Sequence, residues 1–488
     1  MNRRERHKQA KEDRGGGKRG KAASHAFIDP HYDDTLALDA QLNEAVEHHR
    51  AGRLFEAEEI YRQILDADPE YPHALCLLGV IAHTAGQNEQ ALELITRAIA
   101  VKPDYADAHC NLGIVLRAEE RNEEALTSIN TALTLNPNYA EAHSNKGILL
   151  RQRGQYDEAV KNFRDAIALN PDFSFAHYNL SFALLAMGQE QEGLDEFEWR
   201  WQCPTFDFTM REYGRPMWDG ASDLEGKIIL VWPEQGPQDV TIWASAIPEL
   251  ATQAERCIVA TYPKLVSLFA RSFPEVEVRP DNADSSPEPF DFDIHLPMGS
   301  LFRSLRTAPI STVPAFLVPD PERVAFWKHR LVDLGPGPYI GISWKSPLIT
   351  PARSPNYTSI NEWAPLFALP ARFINLQCGE ADEDLARAER ELGITVHNFD
   401  DLDLFDGLDD VAALSAALDL SISVSTAASA ITAGVGTPTW VIAWQQSPWN
   451  NFLLAPRGPD VTRFERNTGE TWDAVFAAMA ERLRDLTG

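Results

Sequence analysis

Four prolines, Pro69, Pro103, Pro137 and Pro171, stand 34 residues apart. Gly79, Gly113 and Gly147 keep the same spacing, and Ser181 takes the next place. Ala57, Ala91, Ala125 and Ala159 keep it too, followed by Gly193. Three landmarks in phase leave few folds open. A unit of this length is one helical hairpin. Small residues let its two helices approach closely, and proline ends the second helix and starts the turn. One hairpin cannot bury its apolar face alone, so each stacks on the next and the array winds into a superhelix with a groove. The period predicts four hairpins over 38–173 and a fifth, less regular one that reaches 203.

With Gly at the eighth, Ala at the twentieth and Pro at the thirty-second place, the unit resembles the tetratricopeptide repeat. The sixth place, on the first helix of the hairpin, holds Asn111, Asn145 and Asn179. Each asparagine offers a donor and an acceptor to the backbone of an extended peptide. Asparagine is also a mediocre helix former, so its recurrence is unusual for surface filler. The resemblance extends to nucleocytoplasmic O-GlcNAc transferases, in which such a ladder holds protein substrates. It implies that these three residues bind an acceptor peptide. His109, His143 and His177 also recur. They fall on separate hairpins and read as packing residues, not metal ligands.

The chain of 488 residues carries a net charge of −28. That balance disfavours nucleic acid and anionic membrane surfaces as partners. The charge is uneven, because residues 1–22 hold nine Lys/Arg against three acids. With GGGKRG and almost nothing apolar, residues 1–37 read as a basic disordered tail. No apolar run is long enough for a signal peptide or a membrane span. The five scattered cysteines suggest buried thiols in a reducing compartment, so the expected location is cytoplasmic.

After residue 203 the pattern changes. Short apolar runs alternate with helical stretches: KIILVW, RCIVATY, VEVRP and FDFDIHL, then YIGISW, RFINLQ, ITVHNF, LSISVS and TWVIAW. This reads as two parallel βα sheets, a first lobe over 204–322 and a second over 323–488. A cleft between the carboxyl ends of their strands is the expected site. The segments WDG, KIILVWPEQGPQD, GISWKS and DLDLFDGLDDVAALSAALDLSISVSTAASAITAGVGTPTW, in that order, resemble GT-B glycosyltransferases of the heptosyltransferase type. They resemble more narrowly the bacterial proteins that set this domain behind tetratricopeptide repeats. Some of those glycosylate flagellin with nonulosonic sugars.

The resemblance implies a role for each loop. A base must take the proton of the acceptor hydroxyl, and positive groups must hold the leaving phosphate. Asp239 matches the aspartate that serves as base, with Glu234 as a second carboxylate. Asp239 also suits a helix cap. For the nucleotide-sugar donor, Lys345, Ser346, Arg353 and Tyr357 lie in one loop and Ser425, Thr426 and Ala427 in another, where backbone N–H groups would cradle an anion. The chain departs from the family pattern at three places. Gln238 stands where a glycine is usual, and Ser425 and Ala430 replace an aspartate and a histidine. The loss of that aspartate and histidine speaks against ADP-heptose. The acidic stretch 401–410 reads as a loop and helix start, and no metal or other cofactor is expected. Two functions stay open: a protein O-glycosyltransferase acting on Ser or Thr, with flagellin as acceptor and a CMP-linked nonulosonic acid as a possible donor, or a catalytically inactive adaptor.

Overall fold

The computed structural model describes residues 36–281, 291–305, 313–347, 349, 354–444, 458–467 and 470–487. All but the last two residues of the basic tail read at 1–37 lie outside this range. The chain divides into two compact units. One runs to Ala183 and also takes in Trp199–Asp207; the other comprises Leu184–Glu198 and everything from Phe208.

The first unit is helical. Its hairpins pair α1 (Leu36–Arg50) with α2 (Leu54–Ala67), α3 (Pro72–Thr84) with α4 (Asn88–Val101), α5 (Ala106–Ala118) with α6 (Asn122–Leu135), and α7 (Ala140–Gln152) with α8 (Tyr156–Leu169). The next helix, α9 (Ser174–Ala186), lies mostly in the first unit, and α10 (Glu190–Phe197) lies in the second. The repeating glycines lie where the helices of a hairpin come closest. A Cβ at Gly79, Gly113 or Gly147 would sit 2.6, 2.5 or 2.7 Å from Ile95, Ile129 or Phe163. The repeating alanines from Ala57 to Ala159 are fully buried. Successive first helices also touch, α3 with α5 and α5 with α7, more than successive second helices do, so the first helices line the inner side of the curve. Each histidine of the ladder closes a turn: Nε2 of His109, His143 and His177 lies 2.9, 3.0 and 2.9 Å from the carbonyl oxygen of the repeat proline six residues earlier.

The second unit holds two parallel sheets. The first has β1 (Ile228–Trp232), β2 (Arg256–Thr261), β3 (Glu277–Pro280) and β4 (Ile294–Pro297), in the order β3-β2-β1-β4. The second has β5 (Tyr339–Ser343), β6 (Arg372–Asn375), β7 (Val396–His397), β8 (Leu420–Val424), β9 (Thr439–Trp444) and β10 (Val461–Arg466), in the order β10-β9-β8-β5-β6-β7. Central strands are buried on both faces, as parallel sheets require. In β1, Val231 is fully buried between Val259 and Leu296. Nine strands coincide with the apolar runs of the sequence. The tenth, VTRFER, pairs with β9 at the edge of the sheet among the described residues, and its charged residues hide it from a search for apolar runs.

Strand order fixes where a site can be. In the six-stranded sheet the chain moves one way through β5, β6 and β7 and the other way through β8, β9 and β10. The reversal lies between β5 and β8. In the four-stranded sheet it lies between β1 and β4. At such reversals the loops beyond the carboxyl ends part and leave a crevice.

Candidate functional site

The EQGPQD loop leaves β1 at the first reversal and enters α11 (Pro237–Trp243). Glu234 is 1% exposed, and its Oε1 accepts the N–H of Gly299, just beyond β4, at 2.8 Å. A Cβ on Gly299 would overlap that carboxylate, so only glycine fits there. Glu234 thus ties together the two strands that flank the reversal. Asp239, third in α11 and 6% exposed, accepts the N–H of Gly236 at 3.1 Å and closes the loop as a cap. Between them, Gln235 adopts a left-handed φ of 61°, and its carbonyl accepts the Tyr262 hydroxyl.

Tyr262 follows β2. Burial, helped by the Asp281 and Asp239 carboxylates, pushes its phenol up to about 12, so it stays protonated and donates. Asp281, beyond β3, receives both arms of the Arg211 guanidinium at 2.7 and 2.9 Å. Arg211 also lies 4.9 Å over the Trp232 ring. Tyr262, Asp281 and Arg211 went unread in the sequence. They come from three distant segments with no shared spacing. The one signal they carry is that Tyr262 and Asp281 immediately follow strand ends.

The two loops read as donor-binding flank the second reversal. After β5, Lys345 pairs with Asp384 at 2.5 Å, and the Trp344 indole N–H donates to the same carboxylate at 2.9 Å. Burial opposes ionisation of Asp384, yet Lys345 and Trp344 hold its carboxyl below the usual range. Gln377 clamps this loop, accepting the N–H groups of Trp344 and Lys345 at 3.0 and 2.9 Å. Ser346 is half-buried in the same loop, and Tyr357 packs against the core of this sheet. Arg353 lies outside the described residues. After β8, Thr426 caps α12 (Ala427–Gly434), and its own N–H donates to Ser429 Oγ at 2.9 Å. Ala427 opens that helix, half-buried.

Helices α11 and α12 pack together. There the Gln238 side chain, from the first sheet's loop, donates to Ser425 Oγ of the second at 2.8 Å. Two of the three departures from the family pattern therefore meet each other. The acidic stretch 401–410 is spent on cations: Asp401 pairs with Arg330, Asp409 with Arg271 and Asp410 with Arg323. Among the described residues no group of three or more His, Cys, Asp or Glu side chains is placed to hold a metal ion. No helix among them is long and apolar enough to cross a membrane.

On the repeats, Asn111, Asn145 and Asn179 fall on α5, α7 and α9, each no more than 8% exposed. The amide of Asn111 donates to Cys76 Sγ at 3.4 Å, one repeat back. Those of Asn145 and Asn179 donate to carbonyls of their own helices at 2.9 and 2.8 Å.

The first unit is a tetratricopeptide-repeat array, of a kind that binds protein partners. Models of that repeat match residues 48–109, 106–139, 129–161 and 147–188. Protein FlbA of Caulobacter vibrioides is 33% identical over 314 residues, which is 60% of this chain and 52% of FlbA. Sixty per cent of the chain exceeds its first 203 residues, so the likeness reaches into the α/β part. The chain spans about half the length of that relative. Among solved structures, a thermophilic TPR protein of Thermus thermophilus is 26% identical with a TM-score of 0.31, over 33% of this chain and 89% of that one. PilF of Pseudomonas aeruginosa is 23% identical with a TM-score of 0.31, over 33% of this chain and 75% of that one.

Proposed function

We propose that the chain is a cytoplasmic protein O-glycosyltransferase with a GT-B catalytic domain. Its repeats hold a protein acceptor, and the α/β unit moves a sugar from a nucleotide donor to a Ser or Thr hydroxyl. The resemblance suggests flagellin as the acceptor and a CMP-linked nonulosonic acid as the donor. The observation that carries this reading is the position of the donor loops. Both 344–346 and 425–427 leave the two strands, β5 and β8, between which the order of the six-stranded sheet reverses. Parallel sheets hold nucleotides at that place.

In this reading Asp239 takes the acceptor proton, and the capped start of α11 holds it in place. A helix N-terminus keeps a carboxylate ionised and also weakens it as a base. Glu234 holds the loop to the end of β4. The positive end of α12, with Lys345, faces the leaving phosphate. One set of contacts favours the adaptor instead. Ser425 is engaged by Gln238, Lys345 by Asp384 and the Thr426 N–H by Ser429. A donor would have to displace these partners.

Intact-mass analysis of flagellin separates the two readings. Under the enzyme reading, flagellin from a strain deleted for this chain loses the sugar mass, and Asp239→Asn protein of unchanged melting temperature fails to restore it. An unchanged flagellin mass in the deletion strain removes flagellin as the acceptor. A melting temperature that no nucleotide sugar raises, CMP-linked ones included, removes the donor site.

A further inference from the structure

Two arginines on the repeats stand apart from the others. Arg117 and Arg151 occupy the same place one repeat apart, in the last turns of α5 and α7. Each closes a stripe along its helix: Cys110, Ile114 and Arg117 on α5, and Ser144, Ile148 and Arg151 on α7. Spacings of four and three residues put each stripe on one face. The equivalent residues in the next repeat are Tyr178, Phe182 and Leu185, and the Arg151 guanidinium lies 5.8 Å from the Phe182 ring centre.

Neither guanidinium makes a hydrogen bond or an ion pair among the described residues. The buried Nε of each lacks a partner, and Arg151 is only 8% exposed. Their neighbours behave differently. Arg121 pairs with Glu124, and Arg153 with Glu123. A chain with a net charge of −28 has carboxylates to spare, yet none among the described residues pairs with these two cations. Burial lowers both guanidinium pKa values, and each repels the other, which lowers that of Arg151 further. A cation in the last turn of a helix is favourable in itself. That accounts for the sign of the charge but not for two unsatisfied buried donors. Leaving a charge buried and unpaired is costly.

We propose that Arg117 and Arg151 form a paired anion site on the inner face of the repeat array, which takes carboxylates of an acidic segment in the bound protein. The proposal rests on the reading that the repeats bind a protein. The planar guanidinium fork suits a carboxylate, which it grips through two parallel bonds.

The full-length protein tests this with sodium glutarate as probe, at ionic strength matched by sodium chloride. Glutarate raises the wild-type melting temperature above the chloride control, and Arg117→Gln/Arg151→Gln abolishes the rise. A fluorescent octapeptide of alternating Glu and Ala binds the double variant at least tenfold more weakly than wild type, and its Gln analogue binds neither. Arg151→Met, which keeps the stem against Phe182, melts at or above wild type without anion. No glutarate-specific rise in wild type overturns the site. A rise with inorganic phosphate and none with glutarate overturns the carboxylate assignment. A lower melting temperature for Arg151→Met shows the charge supporting the fold and also overturns it. If the double variant captures flagellin as well as wild type does, this proposal falls while binding by the repeats stands.

Discussion

Replacing Gly113 with alanine sets two physical effects against each other. Helix propensity favours alanine by about 1 kcal/mol at an interior position such as this, in the middle of α5. Packing opposes it. The added Cβ would lie 2.5 Å from Ile129 Cγ1, 3.0 Å from Ile129 Cδ1 and 3.1 Å from the Ala125 carbonyl oxygen. Ile129 is fully buried, and Cγ1 is close to its backbone, so it cannot swing away as the tip of a long side chain would. Overpacking of this kind costs roughly 1–3 kcal/mol. Against the propensity gain, a net loss of about 0–2 kcal/mol is expected, towards the upper end because the nearest contact is so short. With two compact units, a readout local to the repeats is sharper than a global one. Hydrogen exchange of peptides from α5 and α6 therefore reads the local opening free energy. Ile129→Ala alone also destabilises, by about 2–5 kcal/mol, through the cavity it leaves. The double variant should be more stable than the sum of the two predicts by about 1 kcal/mol or more, because the smaller side chain makes room for the new methyl group. Slower exchange in Gly113→Ala than in wild type would refute the close approach of the helices.

Other outcomes follow from single positions. The turn between the helices of a hairpin uses a left-handed residue at Gly52, Gly86, Gly154 and Gly188, and Glu120 takes that place in the third hairpin with a φ of 60°. Glu120→Gly should stabilise this hairpin by roughly 0.5–1 kcal/mol, since left-handed strain outweighs the entropy of glycine; faster exchange in α5 and α6 would count against it. Burial holds His49 down to about 4 from its ordinary 6.5. The folded state therefore binds fewer protons than the unfolded state between those values, and stability falls as pH drops from about 6.5 to about 4. The shift corresponds to at most about 3 kcal/mol. His49→Gln should flatten that part of the pH profile of exchange in α1 and α2, and an unaltered profile would place the titration elsewhere.

That the candidate residues sit just past strand ends was legible before any coordinates. Asp239, Lys345 and Ser425 all follow apolar runs, and a residue just past a parallel strand lies at the carboxyl edge of its sheet. Their partners were not legible. Asp384 meets Lys345, and Gln238 meets Ser425, across 39 and 187 residues of chain. No local pattern records such meetings. Asn111 illustrates the same limit within the repeats. Its period is plain in the sequence, but its bond to Cys76 depends on how one hairpin stacks on the last. Glu120 shows the reverse case, a position whose backbone conformation is set by the period while its residue type hides it.

The sequence by itself determined the hairpins and most of the strands. Both rest on local repetition: a period of 34 residues for one, and short apolar runs bounded by turns for the other. Tertiary structure decided the strand order, and with it the reversals at β1/β4 and β5/β8 where the candidate loops gather. It also decided which charges found partners. Asp409 and Asp410 met arginines, while Arg117 and Arg151 met none among the described residues. Pairing depends on distances between segments far apart in the chain, and those are set only when the helices and sheets pack.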